Sequence, residues 1–492
     1  MEARTTPTLG DIAAKGVVWL VAQTVISRGA QLIAQVLLTW FLAPEDFGKI
    51  SLAYTVTTLV SASFGLGIED VLLQRLKTLR FWVRPAFRLS LGASIIGALI
   101  ALAAAPLAAS VYQLPDLIEL IGVIALAMPI SALGTVPSVV LRASLKFPLL
   151  AIVSLFETLS TLFLTVVLAA FHCGAISFVL PLPIVAALKC GILWYFARPH
   201  FARQHKRRQW LPLIKNSTAI LGTNLLTAAV GQGDYIALGL VASDAVVGIY
   251  FFAFKIAIQP LRMLAGGLSS VLFPTLAQLT GDPARQRDAA ILAARMLSIV
   301  VMPACFLQAA LAGPVLQIFF SARWAEAEPL LQILSVGLAF DAVSWAAGAL
   351  LHARGQFGLS LTYSIIFTPA FFLFVGIGAI YGSSIGVALG VTAFYMSFPP
   401  IFSYFVFCGA GTSASEVVSI YAAPIFFGST IVGLAYVLAR FFDGAPLAQI
   451  LFIMIFSSIS YLCVIRIFCR IPYLKLTERF RGVFLRKRDR LA

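Results

Sequence analysis

Apolar runs of twenty or more residues follow one another along this chain, separated by short polar breaks. A helix needs about 20 consecutive apolar residues to cross the hydrocarbon core of a bilayer. Windows of that kind fall at about fourteen places: roughly 17–41, 48–72, 89–110, 117–137, 148–170, 174–196, 212–240, 247–275, 291–319, 329–351, 359–380, 384–407, 417–440 and 446–468. They are too long for barrel strands and lack the in–out alternation that a barrel requires. Only 11% of the residues are charged and the mean hydropathy is +0.97, whereas a soluble chain carries about 25% charged residues. The fold class expected is an all-α polytopic membrane protein with about 14 transmembrane helices. The first apolar run is longer than a signal-peptide core and ends in "WFLAPEDFG" with no small-x-small cleavage site, so it is expected to remain as the first helix.

A net charge of +15 suggests nucleic acid until its distribution is read. With an even number of helices both termini share one side. That side takes Arg4 and Lys15, then the loop with Arg75, Lys77, Arg80, Arg84 and Arg88, then Arg142 and Lys146. It also takes Arg198, Arg203, Lys206, Arg207, Arg208 and Lys215, followed by Arg285, Arg287, Arg295, Arg354 and the tail from Arg466 to Arg490. The opposite side takes only Lys49, Arg323 and Arg440 and is rich in acids, among them Glu45, Asp46, Asp116 and Asp244. Basic loops stay in the cytoplasm, so both termini are expected there and no nucleic-acid partner is. Anionic phospholipid headgroups are the expected partners of the "RLKTLRFWVRPAFR" loop and the tail, whose Ile471–Arg490 stretch suits a helix lying on the inner surface. The six cysteines and four histidines are scattered, without CxxC or HExxH, so no metal site, disulfide framework or cofactor is expected.

The chain reads as two halves. "AQVLLTWFLAPEDFGKISLAYTV" (34–56) is echoed by "GDYIALGLVASDAVVGIYFFAFKI" (233–256): Ala43 matches Ala242, one residue is inserted, and Gly48 matches Gly248. The domain division expected is an N-terminal lobe at 1–196, a basic cytoplasmic linker at 197–211, a C-terminal lobe at 212–408, two further helices at 409–468 and a basic tail at 469–492. Parallel repeats with a site between them are a transporter architecture.

Seven charges fall deep inside the apolar windows, away from their ends: Arg28, Lys189, Lys255, Arg262, Glu157, Asp234 and Asp341. Each costs about 2.5–3.5 kcal/mol at mid-membrane, so most must face a polar cavity or one another. Thr24, Arg28, Gln31 and Gln35 are spaced for one face of the first helix, and Thr223, Thr227, Gly231 and Asp234 repeat nearly the same steps on the seventh, with Asn224 beside them. In the repeat register Gln35 lies over Asp234. These stripes predict a polar cleft between the lobes. Asp234 lies near the outer end of its helix, within reach of water; binding a cation, pairing with Lys255 and hydrating a vestibule are all compatible with its place. Glu157, Asp234 and Asp341 are the candidates for proton or sodium coupling. Lys189 is close enough to the cytoplasmic end to snorkel.

"FLAPEDFGKISLAYTV" followed by "FGLGIEDVLLQR" resembles the opening of the Wzx-type polysaccharide flippases, through Leu42, Pro44, Glu45, Phe47, Gly48, Gly67, Leu72, Leu73, Gln74 and Arg75. The second hairpin is similar to theirs through Asp234, Gly239, Val247, Gly248, Tyr250 and Ala253. The chain departs from the family in reading "TWFLAP" where an Arg often precedes the Pro. The resemblance implies membership of the multidrug/oligosaccharidyl-lipid/polysaccharide exporter superfamily, residence in a bacterial cytoplasmic membrane, and transport without catalysis. The implied substrate is an undecaprenyl-pyrophosphate-linked oligosaccharide, moved to the outer leaflet for surface polysaccharide, with a polysaccharide polymerase and a chain-length regulator as candidate partners. Pyrophosphate wants Arg or Lys, which makes Arg28, Lys255 and Arg262 the candidates for it; Gln31, Gln35, Asn224 and Thr227 complete the candidate substrate-binding set.

Three rival readings are weighed against this. A lipid II flippase also has about fourteen helices, but its cleft is expected to be strongly cationic, and four bases against three acids is less so. A cation-coupled drug or metabolite antiporter of the same superfamily has about twelve helices and lacks the Pro-Glu-x-Phe-Gly hairpin. A membrane-embedded glycan polymerase or ligase presents a large outer loop with clustered Arg, His or Glu, and no outer loop here exceeds about fifteen residues. No P-loop is present.

Overall fold

The computed structural model describes residues 9–64, 72, 79–144, 146–198, 210–279, 281–442 and 444–468. Most of the basic linker at 197–211, the tail with the surface helix expected in it, and the 65–78 segment apart from Leu72 lie outside the described residues.

Among the described residues the chain forms fourteen helical rods of membrane length and no strand. The first seven are α1 (Leu9–Phe41), α2 (Pro44–Phe64), α3 (Leu79–Tyr112), α4 (Asp116–Leu133, continued as Thr135–Ala143), α5 (Phe147–Ala170), α6 (Ile176–Val179 and Pro181–Ala197) and α7 (Trp210–Val241). Then come α8 (Asp244–Ala257 and Gln259–Gln278), α9 (Pro283–Phe319) and α10 (Ala327–Ala339, Phe340–Val343 and Ser344–Ala353). One long stretch, Phe357–Gly409, is two arms, α11 and α12, folded at Ser383 with φ of 50°. The last two are α13 (Ala414–Ala439) and α14 (Pro446–Phe468). At the fold, a Cβ on Gly378 or on Gly386 would strike the other residue's carbonyl oxygen, so the arms can meet there only as glycine on glycine.

Both echoing hairpins turn in the same way. Pro44 opens α2 with Glu45 and Asp46 in its first turn, and the Asp46 carboxylate accepts from the Ala43 N–H at 3.1 Å. Asp244 opens α8 and accepts from the Ala245 N–H at 3.0 Å. Proline without an N–H, and a carboxylate facing the positive helix end, both favour a helix start.

By contacts the chain divides into two compact units: residues 1–252 with 361–387, and residues 253–360 with 388–492. This differs from the division by repeat, because α7, the start of α8 and most of α11 belong with the first unit. The reason lies at Gly48 and Gly248. A Cβ on Gly48 would collide with the Asp244 carbonyl, and a Cβ on Gly248 with the Pro44 carbonyl. The contact is reciprocal: each glycine meets the residue four places before the other. The two echoing helices therefore touch backbone to backbone through the residues that the repeat pairs. Phe47 packs edge-on against Phe178 at 5.1 Å and Phe252 at 6.4 Å beside this crossing, and Thr55 donates to the Gln232 side chain at 3.0 Å.

Prolines inside the rods free carbonyls that hydrocarbon cannot satisfy. Pro137 has no N–H for Leu133, and the Trp194 indole of α6 donates to that carbonyl at 3.0 Å. In the second unit Pro260 frees Ile256, whose carbonyl takes the Gln308 amide at 2.8 Å. Pro303 frees Ile299, whose carbonyl takes the Tyr461 hydroxyl at 3.0 Å. Three proline breaks are thus closed from a neighbouring helix. The second unit is further tied by Arg295 of α9 to Glu416 of α13 at 2.6 Å and by Thr392 of α12 donating to the Ile333 carbonyl of α10 at 2.9 Å.

Gly248→Ala is expected to cost about 2–3 kcal/mol by overpacking, seen as a lower thermal midpoint of the purified protein. Gly433→Ala, where the added Cβ meets nothing within 4 Å, should leave the midpoint in place. Trp194→Phe keeps the ring and removes the donor to Leu133, and is expected to cost about 1–3 kcal/mol in the same melt.

Candidate functional site

On α1 the predicted stripe forms in part. Arg28 is half-buried and donates to the Gln31 side chain at 3.1 Å, and Gln23 donates to Ser27 at 3.2 Å one turn earlier. Gln35 is also half-buried, and its buried amide nitrogen has no hydrogen-bond partner. An unmet amide donor in an apolar medium costs free energy, so Gln35 is a place where a ligand oxygen would be welcome.

On α7 the stripe breaks. Asn224, Thr227 and Gly231 are exposed, but Asp234 is only 2% exposed. Seven residues restore the same helix face, so the change is in the surroundings. Gly233 lies against Phe371 and Phe372 of α11, and Gln232 meets Thr55 of α2. The expected hydrated position of Asp234 near the outer end is thereby corrected: α2, α8 and α11 cover this end of α7. The carboxylate accepts from the Tyr250 hydroxyl at 3.0 Å and from the Tyr235 N–H at 2.9 Å. Tyr235 stacks edge-on to Tyr250 at 5.8 Å, closing the cage.

Glu157 of α5 forms an ion pair with Lys189 of α6 at 2.8 Å. Two of the seven intramembrane charges thus answer each other.

In the second unit α8 carries Lys255, half-buried, and Arg262, exposed. They are seven residues apart, one on each of the two segments of α8. Asp341 sits in the Phe340–Val343 turn that interrupts α10. Its carboxylate accepts from the Ser344 hydroxyl at 2.5 Å and the Trp345 indole at 3.1 Å. Asp234 and Asp341 share a design: each carboxylate is held by neutral donors, and neither has an ion pair among the described residues.

Sequence reasoning missed the partners rather than the charges. Ser344 and Trp345 stand three and four places after Asp341, the spacing of neighbours on a helix, and could have been found that way. Tyr250 lies across a turn from Asp234, and no local pattern links them.

Helical rods of this number, broken and re-satisfied within the apolar zone and carrying charges at depth, define a multi-pass membrane transporter. The fold matches that of a solved lipid II flippase MurJ in an inward closed conformation, with a TM-score of 0.70 at 15% identity, covering 91% of this chain and 99% of that one. In sequence, the chain is 24% identical over 402 residues to the lipopolysaccharide biosynthesis protein WzxC of Escherichia coli (strain K12), covering 80% of each. It is 24% identical over 387 residues to the succinoglycan biosynthesis transport protein ExoT of Rhizobium meliloti (strain 1021), covering 77% of each. The family described as "Polysaccharide biosynthesis protein" matches residues 37–329, more than half of the chain. The protein belongs to that family.

Tyr250→Phe is expected to cost about 2–3 kcal/mol by leaving the buried Asp234 carboxylate short of a donor. In an Asp234→Ala background the same change should cost at least about 1 kcal/mol less, and the double-mutant cycle of thermal or denaturant midpoints measures the difference.

Proposed function

We propose that this protein is a flippase that carries an undecaprenyl-pyrophosphate-linked oligosaccharide from the cytoplasmic to the outer leaflet of a bacterial cytoplasmic membrane, with both termini in the cytoplasm. The family, the two relatives' roles in making lipopolysaccharide and succinoglycan, and the fold shared with a lipid II flippase all support the reading. The observation that carries the site is the pair Lys255 and Arg262. Two cations seven residues apart on α8, the first half-buried and the second exposed, would suit the charges of a pyrophosphate. Arg28 with Gln31, together with Gln35, Asn224 and Thr227, would then meet the remaining oxygens and sugar hydroxyls, which lose their water partners on crossing. Translocation by alternating access of two repeat-related lobes would keep the prenyl chain in lipid throughout. A polysaccharide polymerase and a chain-length regulator are the proposed consumers of the product.

Ion coupling belongs to the same proposal. Glu157 is neutralised by Lys189, whereas among the described residues Asp234 and Asp341 are held by neutral donors. Of the three, the two aspartates suit exchange of a proton or sodium ion.

In a deletion strain, lipid-linked oligosaccharide should accumulate on the inner leaflet, with loss of surface polysaccharide and rescue by the wild-type gene. Lys255→Gln and Arg262→Gln should each reduce rescue at least about tenfold at equal protein level. Normal surface polysaccharide with no trapped intermediate would reject the flippase reading. In vesicles, Asp234→Asn and Asp341→Asn should lose dependence on an ion gradient while Glu157→Gln keeps it; unchanged dependence in both aspartate variants would remove them from coupling.

A further inference from the structure

The Phe340–Val343 turn interrupts α10, and Ser344 opens the next segment. The Ser344 hydroxyl has two acceptors beside it: the Asp341 main-chain carbonyl at 2.8 Å and the carboxylate Oδ1 at 2.5 Å. It has one hydrogen to give. Oδ2 takes the Trp345 indole N–H at 3.1 Å. The other end of that ring lies over Gly266 of α8, where a Cβ would come within 3.9 Å. The turn packs against α8, α9 and both flanking segments of α10, and Phe340 shares a cavity with Tyr421 of α13. The groups on these elements that titrate or carry charge are Arg262, Arg295, Cys305, Glu328, His352 and Tyr421. Arg295 pairs with Glu416 at 2.6 Å, Glu328 accepts from Gln332 at 3.2 Å, and Tyr421 donates to Ser403 at 3.1 Å. Among the described residues none of them forms an ion pair with Asp341, which is held by its two neutral donors.

We propose that Asp341 takes a proton and refuses sodium, and that Ser344 and Trp345 set this choice. The inference deepens the coupling role given above to Asp341 and rests on that reading. A proton arriving at Oδ1 makes that oxygen a donor to Ser344 Oγ, and the Ser344 hydrogen turns from Oδ1 to the Asp341 carbonyl. The carboxylate charge is cancelled, and each donor keeps an acceptor without a heavy atom moving. Oδ2 keeps its indole bond in both states. Sodium finds no such place. A hard cation the size of sodium or calcium collects about six oxygens at roughly 2.4 Å, which spaces neighbouring ligands about 3.4 Å apart. Here Ser344 Oγ stands 2.5 and 2.8 Å from the two Asp341 oxygens, as hydrogen-bond partners do. The remaining carboxylate oxygen is covered by an indole N–H, which has no lone pair to offer a cation.

Trp345 reports on the site directly. The full-length protein, labelled with fluorotryptophan and held in neutral detergent, is followed by fluorine NMR, with the Trp345 resonance assigned through Trp345→Phe. The pH is titrated in sodium chloride and again in choline chloride at equal ionic strength. The Trp345 resonance is expected to move along one titration curve with the same midpoint in both salts, and to lose that movement in Asp341→Asn. Ser344→Ala removes a hydrogen bond to the carboxylate and should displace the midpoint by about one pH unit. Ser344→Thr keeps the hydroxyl and should return it. A resonance that moves with sodium at fixed pH, or a midpoint displaced by sodium, would overturn the choice of proton. A resonance fixed across the pH range in which the protein stays folded would overturn the site. A midpoint unmoved in Ser344→Ala would remove Ser344 from it. If the resonance titrates as expected while Asp341→Asn vesicles keep their ion-gradient dependence, the proton site stands and the coupling role falls.

Discussion

Hydrocarbon offers no hydrogen bonds, and this structure is arranged around that lack. Helices satisfy the backbone internally, yet the chain places prolines within them. At Pro137, Pro260 and Pro303 the carbonyl left without its N–H is met by a side chain from another rod: an indole, an amide and a hydroxyl. Each repair fixes where a neighbouring helix must stand. The breaks also shape the molecule. One divides α8 between Lys255 and Arg262.

Close packing supplies what hydrophobic attraction cannot between helices already in lipid. Gly48 and Gly248 let two helix starts touch backbone to backbone, each against the carbonyl four residues before the other. Gly378 and Gly386 do the same for the folded arms of α11 and α12. At these contacts a single methyl group has nowhere to go, so the crossings set the positions of everything built on them, including the helix that carries Asp234.

The intramembrane charges are settled in three different ways. Glu157 and Lys189 neutralise each other. Asp234 and Asp341 are surrounded by neutral donors, which hold a carboxylate without cancelling it. Lys255 and Arg262 lie on the two segments of α8, the first half-buried and the second exposed. The first arrangement is stable as it is. The second leaves each carboxylate without a countercharge among the described residues.

The apolar windows by themselves determined the fold class and the helix count, because spanning length and the need to satisfy the backbone leave a chain so little choice. The charges at depth were equally plain in the sequence, since a lone Asp or Arg in an apolar run has no local neighbour to hide it. The match of Gly48 with Gly248 was legible as a repeat, but not as a contact: that two equivalent glycines touch each other is a property of how the hairpins cross. Only the tertiary structure decided that Asp234 is buried against Tyr250, that Glu157 meets Lys189, and that Trp194 answers Leu133. Those pairings join separate helices, and the periodicity that reveals a helix face carries no information about which other face will lie against it.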